Sequence, residues 1–271
     1  MGIARPAPFP PFAAAAIPPC MARNHLYLVD GSGYIFRAYH RLPPLTNPAG
    51  TPVGAVYGYT AMLWKLADGL DKAEGPTHLA VILDHSGKSF RNDLYDQYKA
   101  HRPPAPEDLV PQFPLIRDAT RAFSLPCIEM AGFEADDLIA SYAVAAEAAG
   151  WDVTIVSSDK DLMQLVTPHP VHGEAHVDML DTMKNIRLDR EAVIEKFGVG
   201  PERLGDVLGL MGDSADNVPG VAGIGPKTAA KLITEYGDIE GVLAAAPGMK
   251  AGKLRENLIE HAAMARLSRE L

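Results

Sequence analysis

Apolar residues follow two alternating patterns along this chain. Short apolar runs at 25–30 (HLYLVD), 78–84 (HLAVILD) and 152–156 (DVTIV) predict β-strands, and a further strand is predicted at 126–130. Between them, apolar positions recur at helical spacing, as at Ala55, Tyr59, Met62, Leu63 and Leu66 in a helix predicted over 53–70. Strands that alternate with helices predict an α/β fold with a parallel sheet.

Three of the predicted strands end at or just before an aspartate, namely Asp30, Asp84 and Asp159. A single aspartate after a strand is most simply a turn or cap residue. The carboxyl ends of parallel strands, however, lie at one edge of a sheet, where ligands bind in such folds. The shared position of these aspartates therefore predicts a functional site at that edge.

The stretch from Gly132 to Leu165 adds further carboxylates to the same region. Glu134, Asp136 and Asp137 open a predicted helix that Gly150 closes, and Asp161 follows Asp159 after the next strand. Acidic side chains in the first turn of a helix are stabilised by the helix dipole and cap free N–H groups, which accounts for one or two of them. Carboxylates this close together repel one another unless cations lie between them, and hard oxygen ligands suit Mg²⁺ or Mn²⁺. The pattern favours a divalent-metal site over a solvated acidic surface.

Cations and aromatic residues alternate in the segment SFRNDLYDQYKAHR at 89–102. Arg91, Tyr95, Tyr98 and Arg102 have the spacing of one helical stripe, and Pro103-Pro104 would stop that helix. Such a stripe suits phosphates and stacked bases. From this segment alone, an ordinary amphipathic surface helix is equally well supported.

The last third is predicted to be helical, with one helix at 201–211 followed by the glycine-rich segment GDSADNVPGVAGIGPKTA at 212–229. It is not a Walker loop, because Pro226 separates Gly225 from Lys227 and no strand precedes it. A helix–hairpin–helix whose amides and helix N-terminus hold a DNA phosphate fits better. A glycine-rich connector is the alternative.

Composition limits the class of protein and its location. The chain has 271 residues, of which 47% are hydrophobic and 22% charged, and its only cysteines are Cys20 and Cys127. No disulfide framework is expected, so a cytoplasmic location is predicted, and no apolar run has membrane-spanning length. Residues 1–24 are rich in Pro and Ala and are predicted to be a disordered leader. For the 169–178 segment, which contains three histidines, a surface loop or hairpin is predicted in preference to a zinc site.

Six segments in fixed order resemble the flap endonuclease family, in particular the 5′ nuclease domain of bacterial DNA polymerase I. They are LVDGSGYIFRAYH, VILD, FRNDLYDQYKAHRPP, FEADDLIA, SSDKDLMQLV and GDSADNVPGVAGIGPKTA, and the resemblance spans about residues 25–271. It implies a PIN-like parallel sheet flanked by helices, with a helical arch and a C-terminal helix–hairpin–helix (H2TH) region. On this basis 25–185 would be the catalytic domain, with the arch at about 88–106, and 186–271 the helical DNA-binding region.

The same resemblance implies roles for individual residues. Two Mg²⁺ ions, or Mn²⁺ in their place, would be held by acids, and a K⁺ ion would sit at the hairpin. The implied metal ligands are Asp30, Asp84, Glu134, Asp136, Asp137, Asp159, Asp161, Asp213 and Asp216. The implied arch residues are Arg91, Tyr98, Lys99 and Arg102, and the implied DNA-binding residues of the hairpin are Gly223, Gly225, Lys227 and Thr228.

The implied function is that of a monomeric 5′→3′ exonuclease and flap endonuclease acting on DNA with a 5′ flap, a nick or a free 5′ end, and on RNA primers. The net charge of −9 is compatible with this, since removing the nine implied ligands leaves a formal balance of zero. Two alternatives remain open from the sequence. One is a non-catalytic binder of branched DNA with the same fold, and the other is a PIN-like ribonuclease.

Overall fold

The computed structural model describes residues 23–70, 72, 75–168 and 173–271. Residues 1–22 of the predicted leader, and His169 and His172 of the predicted loop, lie outside the described residues. In the rest of that segment, Val177 and Asp178 belong to a strand.

A six-stranded sheet forms the centre of the larger part of the molecule. Its spatial order is β3-β2-β1-β4-β5-β6; β1 to β5 are mutually parallel, whereas β6 runs antiparallel to β5. The two central strands are β1 and β4, which are both buried apolar runs. Their register pairs Leu28 with Ile155. The strands are β1 (His25–Asp30), β2 (His78–Ile82), β3 (Cys127–Ile128), β4 (Asp152–Val156), β5 (Val177–Asp181) and β6 (Ile186–Leu188).

Helices cover both faces of this sheet and build the C-terminal part. They are α1 (Gly31–Arg41), α2 (Gly54–Ala67), α3 (Arg91–Leu94), α4 (Gln112–Ala122), α5 (Ala135–Ala148), α6 (Arg190–Phe197), α7 (Pro201–Met211), α8 (Pro226–Tyr236), α9 (Ile239–Ala245), α10 (Lys253–Glu260) and α11 (Ala262–Glu270), with 3₁₀ turns at Asp161–Leu165 and Ala246–Gly248.

Three apolar cores hold these layers together. One lies between the sheet and α1, α2 and α4, and includes the fully buried Tyr59 and Leu63. A second lies on the other face beneath α5, where Ile139 packs against the sheet. The third, around Val207 and Ile233, lies among α7–α11 and the loop between α7 and α8, with Phe197 of α6 packed against it. The predicted helical last third thus has a core of its own, and Leu204 of α7 also joins it to the core beneath α5. Among the described residues, no helix combines the length and the apolar character needed to cross a membrane.

The predicted single helix over 89–102 is wrong. Only α3 is helical there, and turns follow up to residue 101. Long-range contacts override the helical spacing: the Tyr98 side chain is buried, and the backbone N–H of Lys99, whose φ is +55°, donates to the carbonyl of Asp216. The predicted stripe of Arg91, Tyr98 and Arg102 is therefore not a helical face in this structure.

The boundary predicted between residues 185 and 186 also differs from the structure. β6 pairs with β5 and completes the sheet, so the sheet extends past that boundary. The hydrophobic pattern gave no signal for this, because β6 is a short edge strand whose first two residues are exposed.

The first turn of α2 is capped from a distant helix. Val53 at its N-cap provides no side-chain hydrogen bond. Instead, the Gln112 Oε1 atom accepts the backbone N–H groups of Ala55 (2.8 Å) and Val56 (3.2 Å). Its Nε2 atom donates to the carbonyl of Asp108 (2.9 Å). Gln112 is buried and joins α4 to α2.

We predict that Gln112→Ala destabilises the protein by about 1–3 kcal/mol, because it leaves buried N–H groups without an acceptor. Thermal unfolding should show this as a drop of roughly 2–4 °C per kcal/mol. Arg121→Ala is the matched control, since Arg121 lies on the same helix and only its exposed pairing with Asp118 is lost. Equal melting temperatures for the two variants would contradict the capping role.

Candidate active site

The acids predicted from the strand ends do lie at the carboxyl edge of the sheet. Asp30 ends β1 and is 8% exposed. Its Oδ1 atom accepts the N–H of Gly33 (2.7 Å), which caps α1, and its Oδ2 atom accepts the hydroxyl of Ser157 (2.8 Å). Asp84, beyond β2, accepts the N–H of Ala135 at the start of α5 (2.8 Å). Backbone groups thus hold these side chains at the sheet edge.

At this edge, the charges of nearby carboxylates act on the ionisation of Asp136 and Asp30. Burial, followed by the charges of Asp30, Asp159 and Asp84, raises the pKa of Asp136 well above its usual range. The pKa of Asp30 is raised as well, by burial first and then by Asp159 and Asp84, against the opposing hydrogen bonds. No donor in the described part of the chain hydrogen-bonds the Asp136 carboxylate. These four acids form the repulsive centre of the site.

Asp137 has different surroundings from its neighbour Asp136. Both of its carboxylate oxygens accept from the guanidinium of Arg91 (2.8 and 2.9 Å), and Oδ2 also accepts the N–H of Glu134 in a capping box. The side chains of Arg91 and Asp137 are mostly buried, with 16% and 17% exposed. The pair connects α3 to the start of α5, so the structure gives Asp137 a structural partner in place of an open ligand position.

Cations from the predicted arch contact a second set of acids. The Lys99 Nζ atom lies 2.8 Å from Glu134 and 3.7 Å from Asp216. Arg102 forms an ion pair with Asp216, and the Tyr98 hydroxyl donates to Glu134 (3.1 Å). Burial, and then the charges of Glu134 and Asp216, raise the pKa of Tyr98, so it stays a hydroxyl donor.

A third contact involves a lysine that the predictions omitted. Lys160 Nζ lies between Asp161 (3.0 Å) and Asp213 (2.5 Å). Burial would lower the pKa of Lys160, but the hydrogen bond to Asp213 and the charge of Asp161 raise it overall. Its position between two acids in the sequence Asp159-Lys160-Asp161 was the signal that could have identified it.

A tight turn brings Asp213 and Asp216 to the sheet from the C-terminal part. Asp213 and Val218 exchange both backbone hydrogen bonds (2.8 Å each), which closes the turn. Gly212 has a φ of +70°, and a Cβ atom there would lie 2.6 Å from the carbonyl oxygen of Val218, so only glycine fits. A cavity of 270 Å³ separates this turn from α5 and is lined by Asp136, Asp161 and Asp213, among others.

No three of the described His, Cys, Asp and Glu side chains lie together closely enough to hold a metal ion as they stand. The ammonium groups of Lys99 and Lys160 instead contact Glu134, Asp161 and Asp213. The donor set still suits a hard cation, since it consists of carboxylate oxygens that repel one another, and no described residue donates a hydrogen bond to Asp136. The nine implied ligands thus form several groups around one edge, and their assignment to metals stays a prediction.

The predicted DNA-binding hairpin lies between α7 and α8. Gly223, Gly225 and Lys227 are exposed, whereas Ile224 between the glycines is buried and anchors the loop. Gly225 precedes α8, whose first residue is Pro226. The Asn257 side chain of α10 donates to the carbonyl of Ala222 (2.7 Å). Thr228 is half-buried in the first turn of α8, so the four predicted residues do lie together at one helix start.

Residues 25–198 match the family described as "5′-3′ exonuclease, N-terminal resolvase-like domain", and residues 199–271 match "5′-3′ exonuclease, C-terminal SAM fold". The chain belongs to the 5′–3′ exonuclease family. The junction of the two family segments follows β6 and α6, in agreement with the extent of the sheet in the structure.

Curated relatives support the same assignment. A 5′-3′ exonuclease of Aquifex aeolicus is 40% identical over 218 residues, which are 80% of this chain and 72% of that protein. A DNA polymerase I of Rhizobium leguminosarum is 59% identical over 252 residues, which are 92% of this chain. The chain spans only 24% of the length of that polymerase.

Two solved structures share the fold. One is the T5 5′-exonuclease with bound zinc, and the other is the bacteriophage T5 flap endonuclease with DNA and metal ions; both have a TM-score of 0.72. Each is 24% identical and covers 91% of this chain and 88% of its own. The resemblance and the fold class drawn from the sequence are confirmed, apart from the continuous arch helix.

The different surroundings of the two adjacent aspartates generate a test. In metal-free buffer, Asp136→Asn should raise the melting temperature by a few degrees, whereas Asp137→Asn should lower it because Arg91 loses its two-bond ion pair with Asp137. The pKa of Asp136 is raised, so its ionised form destabilises the fold as pH rises through that pKa. The gain from Asn should therefore be small at acidic pH and largest at alkaline pH. A lower melting temperature for Asp136→Asn at pH 8 would show that the acids do not repel as described.

Proposed function

We propose that this chain hydrolyses phosphodiesters of DNA at 5′ ends, as a structure-specific 5′→3′ exonuclease and flap endonuclease that depends on divalent metal ions. The observation that carries the proposal is the convergence of Asp30, Asp84, Asp136 and Asp159 at one sheet edge, where they repel one another. Repulsion of this kind lowers stability and is typical of sites that bind cations for function.

We assign Asp30, Asp84, Glu134 and Asp136 to one metal ion, and Asp159, Asp161 and Asp216 to the other, with Asp213 at its margin. When bound, two Mg²⁺ ions would supply an activated water and neutralise the leaving oxygen, and Mn²⁺ would serve in their place. The bacteriophage T5 enzymes bind zinc or other metal ions in their solved structures, which supports this proposal by analogy.

The cationic side chains at the site also have a role in the proposed reaction. Lys99 and Arg102 contact Glu134 and Asp216 in the structure, where they neutralise acids that metal ions would otherwise neutralise. Once cations occupy the acids, the ammonium and guanidinium groups become available to a phosphate. There they would stabilise the charge that develops on the scissile phosphate. Arg91 and Tyr98 would position the segment through Asp137 and Glu134.

The hairpin would bind duplex DNA at a distance from the acidic site. The exposed Gly223, Gly225 and Lys227, with Thr228, offer backbone N–H groups and one ammonium group to a backbone phosphate, with a K⁺ ion as a further cation. Such contacts carry no base specificity. We further propose that the protein acts as a cytoplasmic monomer on 5′ flaps, nicks and RNA primers in replication and repair, as part of a DNA polymerase I.

One cleavage experiment separates this function from its alternatives. In Mg²⁺, the protein should cut a 5′-flap duplex and release the flap, and EDTA or Asp159→Asn should abolish cutting. Asp159→Asn should still bind the flap duplex in Ca²⁺. Binding without cleavage by the unmodified protein would support a non-catalytic binder, and preferential cutting of single-stranded RNA would support a ribonuclease.

Kinetics test the role of the two cations. We predict that Lys99→Ala and Arg102→Ala each lower the single-turnover rate on the order of 10²–10³-fold, because each loses a donor to the developing charge. Affinity for flap DNA should change by less than about tenfold, since the contact strengthens in the transition state. Lys88→Ala is the control, an exposed lysine at the start of the same segment. A normal rate at saturating enzyme in both variants would mean that these cations only attract DNA.

A further inference from the structure

A buried serine joins the two central strands at the acidic edge of the sheet. Ser157 follows Val156, the last residue of β4, and is 3% exposed. Its hydroxyl donates to Asp30 Oδ2 (2.8 Å), and its Oγ atom accepts the backbone N–H of Asp159 (3.0 Å). One hydroxyl thus connects the acid that ends β1 with the acid that follows β4.

The direction of these hydrogen bonds is determined by their partners. The N–H of Asp159 can only donate, so Ser157 Oγ is the acceptor there. The single hydroxyl proton is then available for Asp30, and Ser157 donates it to Oδ2. The hydrogen bonds therefore run in one direction, from the N–H of Asp159 to Ser157 and from the Ser157 hydroxyl to Asp30.

Both acids depend on this hydroxyl for their placement. The two oxygens of Asp30 accept from Gly33 and Ser157, so removal of Ser157 leaves one oxygen of a buried carboxylate without a donor. The terminal torsion of an aspartate is soft, and one remaining bond would not hold the carboxylate plane. Asp159 is exposed, and among the described residues its side chain accepts only the N–H of Asp161 (3.0 Å), while its backbone N–H is held by Ser157 Oγ (3.0 Å).

We propose that Ser157 is a positioning residue that sets the distance and orientation between Asp30 and Asp159, and thereby the spacing between the groups that hold the two metal ions. This inference rests on the proposed function, because it concerns the metal ligands assigned there. Ser157 itself touches neither substrate nor metal. Partners in the shell behind metal ligands typically change metal affinity or activity about 10–100-fold when they are mutated.

The sharpest test compares Ser157→Thr with Ser157→Val. These side chains have nearly the same shape and differ in the hydroxyl alone, so any strain from the added methyl group is common to both. Calorimetric titration with Mn²⁺ should show affinity within about threefold of the original for Thr and at least tenfold weaker for Val, in line with the cost of losing such a partner. Single-turnover cleavage of flap DNA at fixed low Mg²⁺ should follow the same order, whereas flap affinity in Ca²⁺ at saturating metal should not.

Ser158→Ala is the matched control. Ser158 is the adjacent residue but is exposed, and its hydroxyl oxygen accepts from Arg37 and makes no hydrogen bond to the carboxylates of Asp30 or Asp159 in the described structure. Its Mn²⁺ affinity should equal that of the unmodified protein. The melting temperatures of all variants should also be measured. If Ser157→Thr and Ser157→Val lower the melting temperature equally, a difference in Mn²⁺ affinity between them cannot come from a difference in stability.

Equal Mn²⁺ affinity for Thr and Val would overturn the proposal, as would a loss in Ser158→Ala as large as that in Ser157→Val. Failure of the proposed function has a different outcome. In that case the unmodified protein would not cleave flap DNA in Mg²⁺, while the Mn²⁺ titrations would still decide whether Ser157 positions the acids.

Discussion

Mutual repulsion among carboxylates at one edge of the sheet is the constraint on which this structure depends. Asp30, Asp84, Asp136 and Asp159 are placed there by the ends of parallel strands and by the start of α5, and both burial and the neighbouring carboxylates disfavour the charge of Asp30 and Asp136. The fold offsets this cost with rigid donors. Gly33, Ser157 and Ala135 hold Asp30 and Asp84 through hydrogen bonds that are independent of any bound ion.

Cations from elsewhere in the chain surround the same edge. Lys99, Arg102 and Lys160 pair with Glu134, Asp216, Asp161 and Asp213, so the acids farther from the four-carboxylate centre are neutralised internally. Asp136 accepts no hydrogen bond from the described residues and remains the acid with the most to gain from an added cation. Under the proposed function, the site exchanges internal cations for metal ions, and the released side chains then face the phosphate.

The C-terminal helices matter to the site because they bring two of its acids. The turn that carries Asp213 and Asp216 leaves α7, requires glycine at 212, and is held from behind by α11, whose Ser268 accepts the N–H of Gly220 (2.9 Å). The Lys99 N–H donates to the Asp216 carbonyl (2.9 Å) from the opposite side. The acidic edge of the sheet and the hairpin that we propose for DNA are thereby parts of one connected arrangement.

The sequence by itself determined strands β1 to β4, several of the helices and the edge where the acids meet. Apolar runs such as 25–30 and 152–156 are mostly buried, and they place Asp30 at the end of β1 and Asp159 shortly after the end of β4. The helix at 201–211 was also predicted with the bounds that it has, since Pro201 favours a first turn and Gly212 ends it. These features are local, so spacing and turn residues suffice to predict them.

Only the tertiary structure decided which acids are free and which are paired. Asp136 and Asp137 are adjacent and identical in type, yet one lies among carboxylates and the other binds Arg91, because a helix turns neighbouring side chains to different partners. The segment at 89–102 has helical spacing but is drawn into turns by contacts with Glu134 and Asp216, which lie far along the chain. Ser157 and Gln112 showed no signal in the sequence for the same reason. Their roles come from hydrogen bonds between elements that only folding brings together.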